Sequence, residues 1–233
     1  MISDKSGREL PGRSKDGSIH VTDEVLNTVT HMVGAVFSLL GMVLLIALSA
    51  ARGEPWKIAS FSIYGLSLLV LFLASTLHHG LTVSPRLDRL FRLFDYLAIY
   101  VLIAGSYTPI CLVIARNTWG WSIFGVVWAI AAVGITIKSV FPDIPRWVSH
   151  TLYLSMSWVG IVLMVKLIPL FGLGGFALLL GGGIFYTVGA AVYYFEKPNP
   201  VPGIFGFHEI WHLFVLAGAF LHYLFMYLVI LPF

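Results

Sequence analysis

Seven apolar runs follow one another from Val25 to Leu231, and that repetition leaves the chain few folds to choose from. A helix crosses the hydrocarbon core of a bilayer with about 20 mostly apolar residues. The runs fall at roughly 25–50, 57–80, 92–114, 119–140, 147–170, 173–195 and 205–231, each long enough by that measure. Between them lie "ARGEPWK", "GLTVSPRLDRLFR", "ARNTWG", "KSVFPDIPR", "PLFGLG" and "EKPNPVPG". Helices joined by connectors this short run antiparallel. Charged residues make up 11% of the chain, where a soluble domain carries about 25%. The expected fold is therefore all-α, an integral membrane protein with one seven-helix transmembrane domain over residues 23–233. Residues 1–22 are polar and mixed in charge, so they read as a disordered tail and not as a signal peptide. The single cysteine, Cys111, excludes an intramolecular disulfide and reads as a small core residue.

Lysine and arginine set the orientation, because cytoplasmic loops are enriched in them. With the amino terminus inside, Lys5, Arg8, Arg13, Lys15, Arg86, Arg89, Arg92, Lys138, Arg146 and Lys197 fall on the inner side. Arg52, Lys57, Arg116 and Lys166 fall outside, completing the 14 basic residues. This bias predicts a cytoplasmic amino terminus and an external carboxyl terminus. The net charge of +3 is spread over loops, and no nucleic-acid partner is expected.

Ionisable side chains at membrane depth are costly and point to function. In the predicted topology the end of the second helix, the start of the third and the start of the seventh share the inner face. They carry His79 in "STLHHG", Asp95 in "FRLFDYLAIY", and His208 and His212 in "FHEIWH". His208 and His212 lie four apart, so both imidazoles face one way on a helix. With His79 they form a three-histidine set suited to zinc, one position being left for water. Asp95 would offset the charge, and Ser75, one turn before His79, faces the same place. Two adjacent histidines point about 100° apart on a helix, so only one of His78 and His79 is expected to face the ion. The four-residue step from Ser75 favours His79. "HEIWH" also matches the HExxH pattern, in which Glu209 would be a general base; a place facing the headgroups beside Lys197 is its other reading. Glu24, Asn27 and His31 share a stripe of the first helix and reach the same layer, where they would support the ligands. Glu24 could equally answer the helix dipole.

These segments resemble the hemolysin III family, the bacterial branch of the progestin and adipoQ receptors. The likeness is carried by "STLHH", "FDYLAIYVLIAGSYTP", "FHEIWHLFVLAGAFLH" and, in the first helix, "EVLNTVTHMVG". The resemblance implies a seven-helix membrane fold with its amino terminus inside. It also implies zinc near the cytoplasmic surface, held by His79, His208 and His212, with Ser75 and Asp95 beside a water on the metal. In eukaryotic relatives such a site is linked to hydrolysis of lipid amides such as ceramide. One departure is His78, where the family commonly has an aromatic residue.

The leading expectation is a zinc-dependent hydrolase of membrane lipid amides or esters, taking lipid from the inner leaflet. The other is a sensor, regulator or receptor in which zinc clamps helices together. A pore or an intramembrane metalloprotease fits less well. Among the remaining histidines, His150 is expected at the interface, and His222 too deep to join the same ion. Pro109 and Pro169 are expected to bend or end their helices, and the glycines of "GLGGFALLLGGG" to allow close packing or bending.

Overall fold

A computed structural model describes residues 24–233. The expected tail at 1–22, including His20, lies outside the described residues. Seven α-helices follow in order: α1 (Glu24–Ala51), α2 (Pro55–Gly80), α3 (Pro85–Pro109), α4 (Thr118–Val140), α5 (Arg146–Trp158), α6 (Ile161–Phe195) and α7 (Phe207–Phe225). Among the described residues the one β feature is an isolated bridge between Val201 and Phe205.

The side-chain pattern is inverted relative to a soluble helix. Along α1 the buried residues include Asn27, His31, Gly34, Ser38 and Gly41, polar or small and three to four apart. Its exposed face carries Phe37, Leu40 and Val43. In lipid an apolar face gains nothing by hiding, so small and polar residues take the contact face. Gly41 uses this: a Cβ there would stand 2.6 Å from the Tyr223 ring of α7.

Starts and stops follow local chemistry. Pro55 and Pro85 occupy first turns, where a missing N–H costs nothing. Asn117 caps α4, its Oδ1 accepting from Trp119 N at 3.0 Å and Gly120 N at 3.2 Å. The third helix begins at Pro85, earlier than the apolar run suggested, because its first two turns are charged. At Pro109 the α-helical part of the third helix ends, as expected, and the chain continues through a wider π-helical turn, Ile110–Ile114. A similar turn, Met226–Ile230, follows α7.

Between Arg146 and Phe195 the chain departs most from simple expectation. α5 has only 13 residues, and α6 is interrupted at Gly172, whose φ of 69° and ψ of 173° are open to glycine and little else. The chain reverses there. Trp158 Nε1 donates to Thr187 Oγ1 at 3.1 Å, and the His150 ring stacks on Tyr193. Residues 146–171 thus lie antiparallel to residues 173–195, giving seven rods. Six of the helices are long and apolar enough to cross a membrane by length and composition, and α5 is not among them. The chain is an integral membrane protein.

Neighbouring rods alternate in direction. Gly80 meets Thr28, and Gly65 meets Met42, so α2 returns along α1; Gly189 meets Trp211, and Gly175 meets Val229, so 173–195 returns along α7. The end of α2 and the starts of α1, α3 and α7 consequently share one end of the bundle.

Candidate metal centre

At that end three imidazoles meet. His79 lies in the last turn of α2, and His208 and His212 in the first turns of α7; all three are buried. The i, i+4 step brings His208 Nε2 within 3.1 Å of His212 Nε2, and His79 Nε2 lies 3.3 Å from His208 Nε2. Hydrogen bonding cannot account for this. A ring nitrogen carries either one hydrogen or one lone pair, so His208 Nε2 cannot bond both neighbours. A cation that accepts all three lone pairs can satisfy them together. Nitrogens about 2.0–2.1 Å from a tetrahedral ion stand about 3.3 Å apart, and the observed separations match. His79, His208 and His212 therefore form a group able to hold a metal ion.

The Nδ1 atoms of His79 and His212 face side chains of α1. His79 Nδ1 lies 2.6 Å from Glu24 Oε2. A carboxylate accepts but does not donate, which puts the hydrogen on Nδ1 and leaves Nε2 its lone pair. Thr30 Oγ1 donates to Leu26 O at 2.8 Å and stands 3.5 Å from His212 Nδ1, a long contact that favours the same tautomer there. His31 stacks flat on His212 and meets Phe72 edge-on at 5.1 Å.

Glu209 faces away from the imidazoles. Its Oε1 accepts from Asn27 Nδ2 at 3.1 Å and its Oε2 from Gly206 N at 2.8 Å. It closes the amino terminus of α7 and ties it to α1, the capping arrangement expected of a Glu in a helix's first turn. Of the adjacent pair, His79 meets the α7 histidines. His78 is buried with Nδ1 3.9 Å from Asp88 Oδ1, and belongs to a second, looser group with His79 and Asp95. Ser75 is buried, without a hydrogen bond of ordinary geometry, and Asp95 is its polar neighbour.

Ser75, Asp95, His208 and His212 line one wall of a cavity between α3, α5, α6 and α7, which reaches down to Leu179 and His222. Its lining is mainly apolar away from the histidines. His222 Nε2 bonds Leu179 O at 3.2 Å, far from the centre, as its depth predicted. His150 lines the cavity mouth, with Nδ1 on Arg146 O at 2.8 Å.

Two contributors were not singled out for this role from sequence. Thr30 precedes His31 in "NTVTH", and its spacing from Glu24 and Asn27 was the available signal. Tyr193 sets its ring edge-on to His208 at 5.5 Å; nothing in its sequence context marks it out.

Comparison with known proteins identifies the kinship. Hemolysin-3 of Bacillus cereus is 37% identical over 214 residues, 91% of this chain and 94% of that protein. The Hemolysin-3 homolog of Bacillus subtilis (strain 168) is 39% identical over 199 residues, covering 85% and 90%. The human Monocyte to macrophage differentiation factor is 27% identical over 205 residues, covering 86% and 82%. The profile described as Haemolysin-III related matches residues 19–223, from before α1 nearly to the end of α7. The three histidines and the α1 side chains that hold them thus sit within a member of the hemolysin III family, in the progestin and adipoQ receptor superfamily.

Proposed function

We propose that this protein is a zinc-dependent hydrolase acting on the amide or ester bond of a membrane lipid. The observation that carries this is that His208 Nε2 lies 3.1 Å from His212 Nε2 and 3.3 Å from His79 Nε2, with His208 and His212 on the wall of a largely apolar cavity that Asp95 and Ser75 also line. His79, His208 and His212 would hold the ion, and three neutral imidazoles favour zinc among divalent metals. When bound, zinc supplies Lewis-acid polarisation of a carbonyl and acidifies water near neutral pH. Asp95 is the carboxylate available to take up a proton at this wall, and the Ser75 hydroxyl is its partner in orienting a polar group. Glu24 and Thr30 fix the two outer imidazoles. The apolar cavity admits an acyl chain and keeps bulk water from it.

In this reading the rods cross the membrane seven times. The amino terminus and the centre face the cytoplasm, and the protein resides in the bacterial cytoplasmic membrane. The distribution of basic residues supports that orientation. Lipid reaches the cavity sideways from the inner leaflet.

A second reading has its own support. The histidines join α2 to α7, with α1 behind both, so a bound ion would also clamp the bundle. A sensor or receptor with structural zinc needs only that clamp. Metal analysis of purified wild type against His208→Ala, with lipid turnover of wild type against Asp95→Asn, tests both. The hydrolase predicts stoichiometric zinc lost in the first variant, and turnover lost with zinc retained in the second. Zinc without turnover of any lipid would leave the clamp.

A further inference from the structure

The cavity does not end at the histidines. Its lining continues past Tyr193 and Tyr96 to Lys138, Arg146, Ser149 and His150. The contacts are continuous: Tyr96 Oη stands 3.4 Å from Tyr193 Oη, and the Lys138 ammonium lies 4.9 Å from the centre of the Tyr96 ring.

Lys138 is the unusual member. It is only 8% exposed, and a lysine that buried is ordinarily paired with an acid. Among the described residues no carboxylate lies within ion-pair distance of it; Asp143 acts on it from farther away. An ammonium has three donors. One goes to Pro142 O at 2.6 Å, ending α4, and the Tyr96 ring offers only its face. Ser149, 7% exposed, lines the same space; its buried Oγ neighbours the Tyr100 hydroxyl and makes no hydrogen bond of ordinary geometry. Arg146 bonds Glu196 through one guanidinium nitrogen at 2.6 Å, leaving the other N–H groups of its fork. Arg146 also opens α5, whose first N–H groups have no side-chain cap, so the positive end of that helix lies at the mouth.

We propose that this mouth binds a phosphate group, and that the lipid held in the cavity is an anionic, phosphate-bearing one. The proposal rests on the reading that the cavity takes a membrane lipid, but not on turnover. A buried ammonium, a hydroxyl and a helix amino terminus arriving from α4 and α5 suit an anion with acceptors on several sides. A neutral headgroup would leave the ammonium uncompensated. The acyl part then passes the histidines into the apolar depth, and phosphate and metal centre grip one molecule at two places.

Binding to the purified full-length protein tests this without requiring catalysis. The probes are dioctanoyl phosphatidic acid, dioctanoylglycerol and inorganic phosphate, read by thermal shift and by competition. Phosphatidic acid is expected to stabilise the wild type and dioctanoylglycerol to do so far less. Lys138→Gln should weaken phosphatidic acid about tenfold or more, the loss of one charge-assisted bond. Lys138→Arg should retain it, and Ser149→Ala should weaken it several-fold while keeping α4 intact. Inorganic phosphate that competes at millimolar concentration would extend the site to free phosphate; failure to compete would restrict it to lipid phosphate. Equal stabilisation by the two lipids, or an unchanged affinity in both Lys138→Gln and Ser149→Ala, overturns the proposal. A protein that hydrolyses nothing but shows the phosphate preference keeps this inference and loses the hydrolase; the reverse result does the opposite.

Discussion

The imidazole of His31 lies flat on that of His212, ring centroids 3.6 Å apart and planes within 10°. Its two ring nitrogens are buried without hydrogen bonds of ordinary geometry, the His212 backbone being the nearest partner. Stacking is the main contribution of this side chain, since it walls one face of the His212 ring.

His31→Phe should therefore keep the protein folded and loaded, with a melting temperature equal to or above wild type. It removes two buried unsatisfied nitrogens and keeps the ring. His31→Ala opens a hole behind His212 and should cost about 2–5 kcal/mol, the range for large-to-small core changes. Thermal unfolding with metal analysis checks both; a Phe variant that loses metal would show that the His31 nitrogens reach the ion.

Glu24 is predicted to govern metal affinity without touching metal. Glu24→Ala removes the partner of His79 Nδ1 and should weaken metal binding about 10–100-fold, the usual effect of losing the group that orients a ligand histidine. Chelator competition measures it. An unchanged affinity would reduce the 2.6 Å contact to helix capping.

Glu209 and Asp95 should separate cleanly. Glu209→Ala leaves Gly206 N and Asn27 Nδ2 without their acceptor and should cost about 1–3 kcal/mol in stability. Glu209→Gln keeps an acceptor oxygen and should lose less, with activity per folded molecule near wild type. Turnover abolished in a stable Glu209→Gln would instead make Glu209 the base.

Chelation should lower the melting temperature of wild type and leave that of His208→Ala unmoved. A ligand bound only by the folded state stabilises it by about 4 kcal/mol when present at a thousandfold its dissociation constant. Identical responses of the two proteins would count against these imidazoles as the metal site.

Gly172→Ala should destabilise the bundle by about 1–3 kcal/mol through backbone strain alone, since no neighbour lies within 4 Å of the added methyl. Gly174→Ala, equally open in space and without the positive φ, is the control and should be near neutral.

How far the sequence reveals this molecule depends on distance along the chain. His79 and the His208–His212 pair are legible because topology alone returns the end of one helix and the start of another to one level. Their partners on α1 are legible as a stripe, through the spacing of Glu24, Asn27 and His31. What each partner does is not. Glu209 reads as a base or a headgroup contact, and its capping of α7 shows only once the loop from Asn199 to Gly206 is folded around it. The turn at Gly172 is legible as the connector "PLFGLG" between two apolar runs; the break after Trp158 is not, because "SMSWVGIVLM" is apolar on both sides of it. Lys138 counts as one more loop cation in the sequence; only packing of α4 against Tyr96 makes it a buried one.

The centre draws on the first helix and the last, and this has a consequence for biosynthesis. His208 and His212 leave the ribosome only after α1 to α6, so of the three imidazoles a nascent or prematurely terminated chain offers His79 alone. In the proposed reading metal uptake would then follow the synthesis of α7, and a loaded molecule would be one whose ends have met.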